Sequence, residues 1–188
     1  KAKYFCDKEN NCIYKGIGSI KFMNEQIADE LYQLKDQNFN DFIDVLLALE
    51  STSINSRQLD ILIKLNFFEE FGEINQLLTY TALFAQIYGK KQFKKDKLIS
   101  LNLTEVDVRQ FATKETEKMF TGVDTYRLLK YLAVISKYPP TTLTDEIRYQ
   151  QELLGYINIK DQKYKGVGYI VDVDKKYAPK LKIYALAN

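Results

Sequence analysis

The 188-residue chain has no histidine, no tryptophan and only two cysteines. Without histidine it cannot build a Ser-His-Asp or Cys-His pair, an ordinary haem ligand or a zinc site of the usual composition. Two thiols are too few for a closed Cys₄ or Cys₂His₂ cage. Cys6 and Cys12 flank one short turn and read as reduced thiols of a cytoplasmic protein, with a cross-hairpin disulfide as the alternative. No apolar run reaches the ~18 residues that a membrane span requires, and no signal-like stretch follows Lys1. There is no internal repeat and no low-complexity tract. The chain begins without Met and ends directly after the strand-like run 182–186, so a piece of a longer polypeptide is expected.

Apolar residues make up 46% and charged residues 28%, the balance of a globular protein with a real core. The net charge of +2 is uneven: residues 156–188 hold seven Lys against three Asp, which leaves −2 for the rest. A basic, Tyr-rich tail therefore follows a weakly acidic body.

Turn formers between Tyr4-Phe5-Cys6 and Cys12-Ile13-Tyr14 predict a hairpin over 3–14, ended by Gly16 and Gly18. The 3.6-residue period then predicts a series of helices. One starts at Asn24 as N-cap, one spans 39–47, and one over 57–65 is opened by a capping box of Asn55 and Gln58. Others follow over 73–88 (stopped by Gly89), 104–112 (capped by Thr104), 124–137 (capped by Asp124) and 144–154. Beyond Gly155 come three β-prone runs, 155–159, 166–173 and 180–186. The expected class is α+β, mainly α: a helical domain over 1–154, then the start of a β-domain over 155–188.

Several motifs occur in a definite order. Gly16-Ile17-Gly18-Ser19-Ile20-Lys21 precedes a helix, and Phe39…Asp41-Phe42 follows. Then come Asn55…Gln58-Leu59…Leu62-Ile63, Phe67-Phe68…Phe71-Gly72 and Glu152-Leu153-Leu154-Gly155-Tyr156. This series resembles the helix-hairpin-helix region of the C-family bacterial replicative polymerases, the DNA polymerase III alpha subunits, which continues into an OB-fold. The resemblance implies a noncatalytic segment that holds duplex backbone and single-stranded template without sequence specificity. Its parent chain would be a DNA-directed DNA polymerase using magnesium, with no cofactor in this segment. Implied partners are duplex and single-stranded DNA and other replisome subunits, with no membrane and no small-molecule ligand. A protein-interaction or spacer module with little DNA contact is the alternative. The first hairpin departs from the family's Gly-x-Gly with Phe22-Met23-Asn24. In the second, Leu65-Asn66 replaces Ala-Gly, and Asn75 stands where an Arg is usual. Since Phe22 is expected to block close backbone approach, glycine at 22 and 24 is expected to raise DNA affinity, at a cost in stability where Phe22 packs on Leu31 or Ile27.

The candidate DNA-binding residues are Gly18, Lys21 and Asn24 in the first hairpin and Lys64, Asn66 and Gly72 in the second. To these the run 90–97 adds Lys90, Lys91, Lys94 and Lys95, which read as an ordinary solvated loop or as a loop that tracks phosphates, while Phe93 could anchor to the core or stack on a base. In the tail, Tyr156, Tyr164, Tyr169, Tyr177 and Tyr184 interleave with lysines, and Tyr169, Lys180 and Tyr184 are the candidates for a stacking groove. Asp172-x-Asp174 mimics a two-metal carboxylate pair but reads as a strand end, and Gln58–Leu62 mimics a clamp-binding peptide but reads as core helix. No catalytic or metal-ligating residue is assigned.

Overall fold

The computed structural model describes residues 3–160, 163, 165–176 and 178–187, which leaves Asp161, Tyr164 and Tyr177 outside the described residues. The chain forms two compact units, Lys1–Thr141 and Thr142–Asn188. The expected boundary near 155 falls after the last helix, whereas the units divide before it.

The first unit opens with the antiparallel hairpin β1 (Phe5–Asp7) and β2 (Cys12–Tyr14), closed by Asp7 accepting from the Glu9 and Asn10 N–H groups. Both cysteines are free and exposed. Then come α1 (Glu25–Gln33), α2 (Phe42–Leu49), α3 (Ser56–Lys64) and α4 (Ile74–Ile87). The first three start at side-chain caps. Asn24 Oδ1 accepts from Ile27 N at 2.9 Å, and Asp41 accepts from Ile43 and Asp44. Asn55 and Gln58 form a reciprocal capping box. Each such cap contributes about 1 kcal/mol by satisfying amides the helix cannot. Helix α2 is apolar nearly throughout and buries Phe42, Ile43, Val45, Leu46 and Leu49. It packs on α4, and Ala28 of α1, Leu62 and Ile63 of α3 and Leu77 of α4 are almost fully enclosed too.

A feature that the sequence pattern did not predict follows α4. Strands β3 (Gln92–Lys94), β4 (Lys114–Glu115) and β5 (Met119–Thr121) form an antiparallel sheet of order β3-β5-β4. Its centre is the buried pair Phe93 and Phe120. Helix α5 (Glu105–Arg109) is shorter than the expected 104–112, because the chain must turn into β4. Helix α6 (Thr125–Ile135), capped by Asp124, returns to the helical core.

In the second unit α7 (Leu143–Leu154) starts at a Thr142/Asp145 capping box and ends at Gly155, whose φ of 77° is the left-handed cap. The expected strand over 155–159 does not form. Its backbone partners side chains instead of a ladder: Asn158 N donates to Gln150 Oε1, and the Ile159 carbonyl accepts from the Tyr184 hydroxyl. The other two runs do form strands, β6 (Gly168–Asp174) and β7 (Lys180–Ala185), paired antiparallel. Seven helices and small sheets among the described residues make this an α+β, mainly α fold. No helix among the described residues is long and apolar enough to cross a membrane.

Candidate nucleic-acid interface

The first hairpin runs from Gly16 to Asn24. A single 3₁₀ turn over Ile17–Ser19 contains half-buried Gly18, and Met23 N then donates to Ile20 O at 3.1 Å, which closes a tight turn over Lys21 and Phe22. The third residue of this turn takes the left-handed conformation, and it is Phe22, at φ 68°. A non-glycine residue there costs about 1–2 kcal/mol. Two contacts offset it. Gln58 Nε2, from the first turn of α3, donates to the Phe22 carbonyl at 2.9 Å. The Arg57 guanidinium carbon lies 3.8 Å from the ring centroid, with Lys21 Nζ at 5.2 Å. Phe22 is 44% exposed and its ring carries two cations. Asn24 is extended (φ −131°) and serves as the α1 cap, not as a left-handed residue.

The second hairpin joins α3 to α4. Asn66 is left-handed at φ 61°, its N–H donates to Ile63 O, and Phe67 N donates to Leu62 O. These two bonds form a Schellman ending, with Asn66 where glycine is usual. Phe68 turns inward and meets Phe42 at 5.4 Å between ring centroids, so the aromatic run docks this turn on α2. Lys64 is bonded to Asp60 at 2.7 Å. Gly72, at φ 148°, precedes α4 where a Cβ would collide with the Gln76 side chain. Asn75 N, in the first turn of α4, donates to Thr141 Oγ1. Leu59 and Leu62 are buried in α3, as core helix requires.

In the lysine run, Lys90 and Lys91 precede the strand Gln92–Lys94, and Lys95–Lys97 form a 3₁₀ turn. Lys90, Lys91 and Lys94 are exposed, with no ion pair among the described residues. Lys95 differs: its Nζ lies 2.6 Å from Glu115 and 3.2 Å from Glu105, and its side chain is 19% exposed. Arg109 grips Glu115 with two bonds, of 2.7 and 2.9 Å. The Arg109 and Lys95 bonds hold the Glu115 carboxyl down to about 2 and raise Lys95 in turn. Lys95 is therefore neutralised by its own fold. Phe93 is core.

In the tail, a register irregularity between Ile170 and Asp172 makes Val171 the unpaired residue and shifts the alternation. Tyr169, Asp172 and Asp174 then share a face with Tyr184, Lys182 and Lys180, each opposite its partner. The half-buried tyrosines meet across the ladder, but each of these lysines faces an aspartate. The opposite face is apolar and open, with Ile170, Val173, Leu181 and Ile183 exposed. Among the described residues no group of three or more His, Cys, Asp or Glu side chains could hold a metal ion.

One left-handed turn leads into α1 and is held by the first turn of α3, the other closes α3, and the family model described as "helix-hairpin-helix motif" matches residues 1–77. DNA polymerase III subunit alpha of Treponema pallidum (strain Nichols) is 33% identical over 70 residues, which cover 36% of this chain and 6% of that protein. The chain thus carries a helix-hairpin-helix region similar to that of a polymerase III alpha subunit and spans a small part of that relative's length. No solved structure matches. Sequence reasoning missed Arg57 and Gln58 as partners of the first hairpin, although the capping box had already placed both in the first turn of a helix.

Proposed function

We propose that the chain is a noncatalytic DNA-binding segment of a polymerase III alpha-like replicative polymerase, working in the cytoplasm and holding duplex by its backbone. The observation that carries this is that the helix-hairpin-helix match covers both left-handed turns and α3, whose first turn holds Phe22 and whose C-terminus Asn66 closes. Phosphate contacts position a protein without reading sequence, so affinity should be sequence-independent and fall steeply with salt. Fluorescence anisotropy with two short duplexes of unrelated sequence, titrated with salt, tests it. Equal affinities that weaken with salt support the reading; no binding at low salt sinks it.

For the second unit a different reading has its own observation. Lys180 and Lys182 stand opposite Asp174 and Asp172, while an apolar face lies exposed on the same hairpin. Such a balanced ladder attracts phosphate weakly, which favours a protein-docking or spacer role for the tail over a single-strand groove. Lys180→Ala with Lys182→Ala should leave affinity for single-stranded DNA unchanged; a clear loss would restore the groove.

A further inference from the structure

Backbone N–H groups freed by glycine are one way for a tight turn to hold phosphate. The first hairpin lacks that glycine, because its left-handed position is filled by Phe22. What the turn has in its place is a ring bearing Arg57 at 3.8 Å and Lys21 at 5.2 Å. A guanidinium on an aromatic face keeps its N–H fork available at the edge, the geometry suited to a phosphate oxygen pair. Sharing one ring, the two charges lie within about a Debye length of each other and repel. Neither has a carboxylate at ion-pair distance among the described residues, in contrast to Lys95, Lys130 and Arg109. Gln58 fixes the platform, since one amide both closes the α3 capping box and holds the Phe22 carbonyl.

We propose that the first hairpin takes a nucleic-acid phosphodiester on the side-chain cations Lys21 and Arg57, mounted on the Phe22 ring, in place of turn amides. This rests on the DNA-binding reading above and reverses the expectation that glycine at position 22 raises affinity. Anisotropy with a fluorescein-labelled duplex across a salt series tests it on the intact chain. Replacing Lys21 and Arg57 together by Gln should lower the salt slope by ~2, one unit for each phosphate left without its cation. Phe22→Gly, which suits the backbone better, should weaken binding because it removes the platform, and Phe22→Tyr should restore it. Arg57→Lys keeps the charge without the planar fork and should bind between the wild type and the double variant. Far-UV circular dichroism confirms that each variant is folded. A wild-type chain that fails to bind overturns the DNA-binding reading and this inference with it. A wild type that binds, with an unchanged slope in the double variant or a gain in Phe22→Gly, overturns this inference alone.

Discussion

Two residues other than glycine carry the left-handed backbone of the hairpin turns, and they do so by different means. Asn66 relies on its own short amide, which visits this region at low cost and reaches Glu69 Oε2 at 3.3 Å. Phe22 relies on distant residues, Arg57 and Gln58. Asn66→Ala should therefore lose about 1 kcal/mol in urea denaturation. Asn66→Gly should stay within ~0.5 kcal/mol of wild type, because relief of strain is offset by a more flexible unfolded chain. Equal losses for both would mean that the left-handed turn is not what Asn66 provides. Caps were legible at this scale, since Asn24, Asn55 with Gln58, Thr104 and Asp124 each act within three residues of themselves. The Phe22 platform was not, because Arg57 and Gln58 come from α3, the third helix after it.

At the scale of elements, helices announced themselves and short strands did not. Strands β4 and β5 hold two and three residues, too few for a period-2 pattern to emerge. Their pairing also decided the fate of the lysine run, because β4 delivers Glu115 beside Lys95. Replacing Lys90, Lys91 and Lys94 by Ala should lower the salt slope of duplex binding by up to ~3. Adding Lys95→Ala should leave the slope where the triple variant put it and lower the melting temperature instead. A further fall in slope on that fourth change would show that Lys95 is available to phosphate. In the tail, sequence alone could not say which way Tyr169 and Tyr184 face. The one-residue irregularity at Val171 sets that parity, and no composition signal marks it.

Across the whole first unit, α6 is clasped to α2 by charge. Lys130 Nζ lies 2.7 Å from both Asp41 and Asp44, and the Tyr126 hydroxyl donates to Asp44 at 2.9 Å. Burial alone would raise the Asp44 carboxyl, but these bonds outweigh it and hold the group below its ordinary value. Lys130→Met should cost about 1–2 kcal/mol, as removing a hydrogen-bonded charge partner generally does. The pH dependence has one sign. Asp44 and Glu115 have depressed folded values, so the stability they supply is complete above their unfolded values of about 4 and is lost as pH falls. Thermal melts should hold steady from pH 7 to 5 as far as these carboxyls contribute, then fall toward pH 2. In the double variant Asp44→Asn and Glu115→Gln that acid slope should be shallower; an identical slope would place the acid sensitivity elsewhere.

Helix α3 acts as a ruler. Its nine residues set the two left-handed turns about 13 Å apart along a stiff rod, Phe22 tied to one end and Asn66 closing the other. At 3.4 Å per step of a duplex strand that is about four base pairs. A duplex of four pairs or fewer can then engage one turn at a time, and affinity should climb abruptly once the oligonucleotide outgrows the rod. Splicing one extra helical turn into α3 would shift that threshold by between one and two pairs without changing any residue proposed to meet DNA.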